Sequence, residues 1–208
     1  MTASDTLLIE RPSNDIAVLR LNRPQVRNAL NLDLRTRLAD EITRFGADPE
    51  IRCLIVTGSD LAFAAGADII VAGEGAKLGQ PEVKVGILPG AGGTQKLARL
   101  VGSKRAMLLL MTGRMFSAAE AFNMGVVSEV APTGQALARA LDIAREIAAM
   151  SPISIMQIKE IVNAGLNAPL ETALMLERKA FQLQFATSDQ KEGMRAFMEK
   201  RKPKFEGK

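Results

Sequence analysis

The chain has no histidine, no tryptophan and no tyrosine, and Cys53 is its single cysteine. Without histidine there is no imidazole general base, no Ser-His or Cys-His nucleophile pair, and none of the commonest zinc ligand. A lone cysteine excludes a disulfide within the chain. Its place in the apolar run 51–56 reads as a buried, inert thiol in a reducing compartment. The scattered acids lack the spacing of a metal site. Eight phenylalanines are the only aromatic residues, so the core must rest on Leu, Ile, Val, Ala and Met. No apolar run approaches the ~18 residues of a membrane span. The opening MTASDTLLIERP carries acids and no apolar stretch, unlike a signal peptide. A cytoplasmic location, with no membrane partner, is therefore expected.

Charge of one sign is also scarce outside the C-terminal end. Residues 191–208 hold seven Lys/Arg against three Glu, which equals the whole chain's net charge of +4. The remainder is neutral, so no basic nucleic-acid-binding face is expected. The tail itself reads either as a solvated helix end or as a contact to a phosphorylated ligand.

The 208 residues, 47% of them hydrophobic, can bury a sizeable core. Residues 6–10 and 15–21 read as a hairpin of strands, and Leu34, Leu38, Ile42 and Phe45 as one face of a helix ended by Gly46 and Pro49. A buried strand follows at 52–57, with short strands at 69–72 and 76–78. Helices are expected at 94–100 and 104–111, and Ser117 to Glu120 has the pattern of a capping box. After a last strand at 126–130, helices follow at 134–150, 152–164, 169–186 and 188–200. This divides the chain into an α/β part, 1–131, and a helical part, 132–208. Leu137, Leu141 and Ile147 form an apolar face that calls for a partner chain.

The densest chemistry lies at 62–95, AFAAGADIIVAGEGAKLGQPEVKVGILPGAGGTQ. Two turns of small residues, 64–68 and 89–94, flank Glu82, an acid in the loop-like setting Gln80-Pro81-Glu82. Small residues let a backbone approach a ligand and aim N–H groups at it, and an acid between such turns suits proton transfer beside a stabilised oxyanion. Gln95 and Lys96 follow the second turn where a phosphate-binding P-loop needs Lys-Ser/Thr.

Asn22-Arg23-Pro24 with Asn28-Ala29-Leu30, then AFAAGADI, GQPEV, GILPGAGGTQ, residues 110–113 and 118–125, and the closing FxEKRKPxF occur in one order. Together they resemble the crotonase family of enoyl-CoA hydratases and isomerases, closest to the hydratases. The resemblance implies a spiral of ββα units with a helical C-terminal region that forms trimers or a dimer of trimers. It implies an acyl-CoA thioester as partner and no separate cofactor, coenzyme A being part of the substrate. Hydration of a trans-2-enoyl-CoA, as in fatty-acid degradation, is the expected reaction. A crotonase-type isomerase, or a truncated and impaired CoA-ester-binding paralogue, is the alternative.

By the same resemblance Glu82 is the catalytic acid/base, the N–H of Ala67 an oxyanion donor, and Gly90 a wall of the water and acyl site. Val26, Arg27, Ala29, Ala65, Ala67, Asp68 and Ile69 would contact CoA, and Phe197 and Lys200 a neighbouring subunit's CoA. The family also carries, before its GQPE motif, a core strand and a Gly-Gly-Gly segment opening a helix, with a second oxyanion donor and a second glutamate. No such segment occurs here. An internal deletion after Ile69 is expected, and with it doubtful activity.

Overall fold

A computed structural model describes residues 6–26, 28, 30–58, 68–90 and 92–208. The nearly unbroken apolar run 16–21 forms a strand buried at every position but Arg20. β1 (Leu7–Ser13) pairs antiparallel with β2 (Ile16–Leu21), from Leu7 opposite Leu21 to Ser13 opposite Ile16, with an irregularity between Glu10 and Ser13. β3 (Cys53–Thr57) lies parallel on the other side of β2, Ile16 opposite Cys53 and Arg20 opposite Thr57. Parallel neighbours need a crossover. Helix α1 (Leu32–Gly46) supplies it, started by Asn31, whose side chain accepts the Leu34 N–H at 3.0 Å. Leu34 and Phe45 of α1 close the first core, with Leu7, Ala17, Leu19 and Leu21.

A second core is built further along the chain. β4 (Val71–Gly73) pairs parallel with β7 (Glu129–Ala131), and β5 (Lys77–Leu78) antiparallel with β6 (Phe116–Ser117). Helices α2 (Gly93–Val101), α3 (Ser103–Thr112) and α4 (Ala118–Asn123) pack around them. Leu97, Ala106, Leu109, Phe116, Ala121 and Val127 form the interior. The expected capping box is present: the Ser117 hydroxyl accepts the Glu120 N–H, and Glu120 accepts the Ser117 N–H at 2.8 Å. The extended pair Phe116–Ser117 was not expected; two residues are too few for period-two alternation to register.

Helix α5 (Ala136–Ala148) spans the two cores, lying against β2 and β3 on one side and β4 and β7 on the other. Arg52 ties the start of β3 to its end, donating to the carbonyls of Ala148 (3.3 Å) and Met150 (3.2 Å). Helices α6 (Pro152–Gly165) and α7 (Leu170–Gln184) pack on each other, and α8 (Ser188–Met198) follows. No helix among the described residues is long and apolar enough to cross a membrane.

Two expectations need correction. The strand at 53–57 is half-buried along its whole length, not buried, because the described sheet ends at β3. Cys53 shares that position; partial burial, and then Asp15, push its thiol pKa up, against a smaller opposing effect of Arg52. Leu137, Leu141 and Ile147 do not await another chain: all three are partly covered as α5 packs on its own sheets. Many uncovered apolar side chains stand on α6–α8 and the loops beside them, among them Leu166, Leu170, Phe181, Leu183 and Phe197.

Candidate active site

Glu82 stands in a single helical turn, Pro81–Val85, directly after β5. Pro81 suits the first position of such a turn, since its missing N–H would find no partner there. Gly86 closes the turn in the left-handed region (φ 79°), and the Ile87 N–H donates to the Glu82 carbonyl at 3.3 Å. The carboxylate is half-buried, yet its Oε2 is shielded from solvent and has no hydrogen-bond partner among the described residues. Gln80 Oε1 is in the same state. Buried oxygens are normally satisfied, so two orphaned acceptors two residues apart ask for a donor from outside the described residues.

The second small-residue turn stands beside them. Pro89 is buried and Gly90 exposed, and the Gly90 carbonyl accepts the Gly93 N–H at 3.0 Å. Gly92 takes φ 80° and caps α2. The Gln80 side chain lies so close to Gly93 that a Cβ there would collide with it. Val85, Ile87 and Leu88 form an uncovered apolar rim, Leu88 being 73% exposed. An apolar rim around a carboxylate and two unsatisfied acceptors suits an acyl chain next to a proton-transfer centre.

The other expected contacts are distributed around the molecule. Val26 ends the helical turn Pro24–Val26 and is exposed. Asn28, buried and left-handed (φ 56°), closes this turn, its Oδ1 accepting the Arg23 N–H at 2.8 Å. Asp68 is ion-paired with Lys159 of α6 at 2.8 Å, and Ile69 is exposed. Phe197 is exposed near the end of α8; Lys200 follows in the left-handed region (φ 53°). Arg27, Ala29, Ala65 and Ala67 lie outside the described residues. Gln80 escaped the sequence reading as a site residue.

The basic tail is largely tied down. Arg201 meets Glu192 through two bonds, 2.6 and 2.9 Å, and Glu199 at 2.6 Å. The Arg201 bonds first, then the Lys204 N–H, hold the Glu192 carboxyl down at about 2. A charged cleft of about 530 Å³ between α8 and this tail, lined by Asp189, Glu192, Arg195 and Arg201, is remote in sequence from Glu82. Its polar walls suit hydrated ions, not an acyl chain. No group of three or more acids and cysteine among the described residues could hold a metal ion.

The sequence profile described as enoyl-CoA hydratase/isomerase matches this chain in two pieces, residues 11–70 and 67–208. A probable enoyl-CoA hydratase of Mycobacterium tuberculosis is 36% identical over 252 aligned positions, covering 97% of this chain and 98% of that one. A crotonyl-CoA hydratase of Syntrophomonas wolfei is 35% identical, covering 98% of each. The crystal structure of an enoyl-CoA hydratase from Bacillus anthracis superimposes with a TM-score of 0.92 at 30% identity, covering 98% of this chain and 100% of that one. Since 252 positions are aligned against a chain of 208 residues, at least 44 positions of the mycobacterial relative face no residue here.

Proposed function

Because this chain belongs to the enoyl-CoA hydratase/isomerase family, we propose that it adds water across the double bond of a trans-2-enoyl-CoA, with Glu82 moving the protons. The fold is the crotonase fold of its structural neighbours. The observation that carries the reading is the orphaned Oε2 of Glu82 beside an apolar rim. A carboxylate oxygen held without a partner is ready to accept a proton from water as the water oxygen attacks Cβ. The electron pair of the double bond moves to the thioester oxygen, and protonation at Cα gives the 3-hydroxyacyl-CoA. The N–H of Ala67 is the proposed donor to that oxygen, with Gly90 lining the water and acyl site. Val26, Arg27, Ala29, Ala65, Asp68 and Ile69 are proposed CoA contacts. Phe197 and Lys200 would reach a neighbouring subunit's CoA. No cofactor is needed, since every proton can pass through one carboxylate.

The family match divided at 67–70, and the unmatched positions of the relative, support a further part of the proposal: an internal segment of the family is missing after Ile69. If the second oxyanion donor and glutamate go with it, the chain on its own turns over slowly. The uncovered apolar residues of α6–α8 support a homotrimer or dimer of trimers.

The test splices the relative's unmatched segment in after Ile69 and follows loss of enoyl-thioester absorbance from crotonyl-CoA. The spliced chain should hydrate it, and Glu82→Gln in that chain should lower kcat by about 10²–10⁴. A spliced, folded chain without turnover, or one indifferent to Glu82→Gln, would overturn the reading.

A further inference from the structure

The turn that carries Glu82 is backed by one short segment. β5 and β6 pair over only two residues, Lys77 opposite Ser117 and Leu78 opposite Phe116. The same register carried one step further sets Gly79 against Met115. The two are in contact: a Cβ at Gly79 would stand 2.7 Å from the Met115 Sδ and 3.1 Å from the Arg114 carbonyl oxygen. Two residues earlier, Gly113 backs the turn itself, where a Cβ would stand 2.9 Å from Cγ1 of Val83. Residues 113–115 therefore lie along 79–83, and Glu82 stands between the two contacts in sequence. Helix α3, which ends at Thr112, packs on the turn as well.

The contact at Gly79 is made by a thioether that solvent reaches. Met115 is 46% exposed, whereas Met124 packs against the second core. A divalent sulfur is soft and apolar and packs well on a bare backbone. It is also the group in this contact that a peroxide converts. A sulfur lone pair attacks one peroxide oxygen and the O–O bond breaks. The sulfur is oxidised by two electrons to the sulfoxide, and the other oxygen leaves as water, taking both peroxide protons. The product is polar and chiral. Its new oxygen needs space and hydrogen-bond donors, and the close contact at Gly79 has no space for it. A half-exposed side chain meets that need by turning out to water, which uncovers Gly79.

We propose that Met115 is an oxidation site through which a peroxide loosens the turn that carries Glu82. With Gly79 uncovered, a two-residue strand pair is left to hold the entrance of the turn. The bonds that close it, from the Gly86 N–H to the Val83 carbonyl (3.1 Å) and from the Ile87 N–H to the Glu82 carbonyl (3.3 Å), then open more often. Reduction of the sulfoxide restores the thioether and the contact. As regulation of turnover, this rests on Glu82 being the acid/base proposed above.

The experiment treats the 208-residue chain with hydrogen peroxide, verifies oxidation at Met115 by peptide mass, and reads amide exchange at Gly86 and Ile87. Exchange there should quicken by about tenfold and return after treatment with a methionine sulfoxide reductase. Met115→Leu should abolish the response, and Met115→Gln, polar at the same length, should reproduce it without oxidant. Met115 oxidised with exchange unchanged, or an equal response in Met115→Leu, overturns the proposal. So does a Met115 left as thioether at a dose that oxidises Met107 and Met111, which are more exposed. In the spliced chain, peroxide should lower crotonyl-CoA hydration by about tenfold, and Met115→Leu should prevent the loss. Hydration unaffected by a loosened turn overturns the regulation and leaves the hydratase reading standing. A spliced chain that never turns over, yet loosens and recovers at Gly86 and Ile87, rejects the hydratase reading and retains the oxidation site.

Discussion

Glu82 combines two properties that ordinarily conflict. Its Oε2 is shielded from water and unsatisfied among the described residues, which costs stability, and it is the proton acceptor proposed above. Removing the charge should therefore harm the reaction and not the fold. Glu82→Gln is expected to leave the unfolding free energy unchanged or raise it by up to about 1 kcal/mol, measured by urea titration. A loss of several kcal/mol would mean that the carboxylate has a structural partner. Glu82 was proposed from the sequence because it stood between two small-residue turns and matched a position of the family. Its neighbour Gln80 was not, because an orphaned side-chain oxygen is a property of packing and leaves no trace in local composition. Asn28 illustrates the same limit: its sequence neighbours suggest a turn, but its burial and left-handed backbone follow from the Arg23 N–H it accepts.

At the scale of elements, the tail beyond α8 is held by a charged latch. Glu192 receives Arg201 and the Lys204 N–H, and its pKa is lowered from 4.5 to about 2. A carboxyl whose folded pKa is depressed stabilises the docked tail above its unfolded value, and that contribution fades as pH falls through the folded one. The latch should thus be intact at neutral pH and loosen between about pH 4.5 and 2. The carboxyl carbon shift of Glu192, followed by NMR, should titrate with a midpoint near 2, and Glu192→Gln should remove the pH dependence of tail ordering. A midpoint near 4.5 would show that the latch is open in solution. The helices themselves were legible to within a few residues, since apolar side chains recur at three and four and the capping box Ser117–Glu120 marks one start. The exposure of 53–57 was not. An apolar run reads as an interior strand whether or not its neighbour is there, because the neighbour lies elsewhere in the chain.

The described residues bury their apolar side chains in two interiors and leave many others uncovered, a good number of them on α6–α8. Two cores joined by α5 should not melt as one. Urea unfolding read by hydrogen exchange is expected to show amides of β2 and of α3 lost at different denaturant concentrations, with the spliced chain merging the two transitions. A single coincident transition in the 208-residue chain would contradict the division. The surface of α6–α8, with Phe181 64% and Leu183 69% exposed, should be covered in solution. Sedimentation at micromolar concentration is expected to give the mass of a trimer or hexamer, and a monomer would contradict it.

Helix α5 has one more consequence, a mechanical one. Fastened to β3 through Arg52 and resting on β4 and β7, it acts as an axle between two bodies. Val26 and Asn28 ride on one body and Glu82 and Gly90 on the other, so the packing of α5 against both fixes how far the proposed CoA contacts stand from the proposed acyl site.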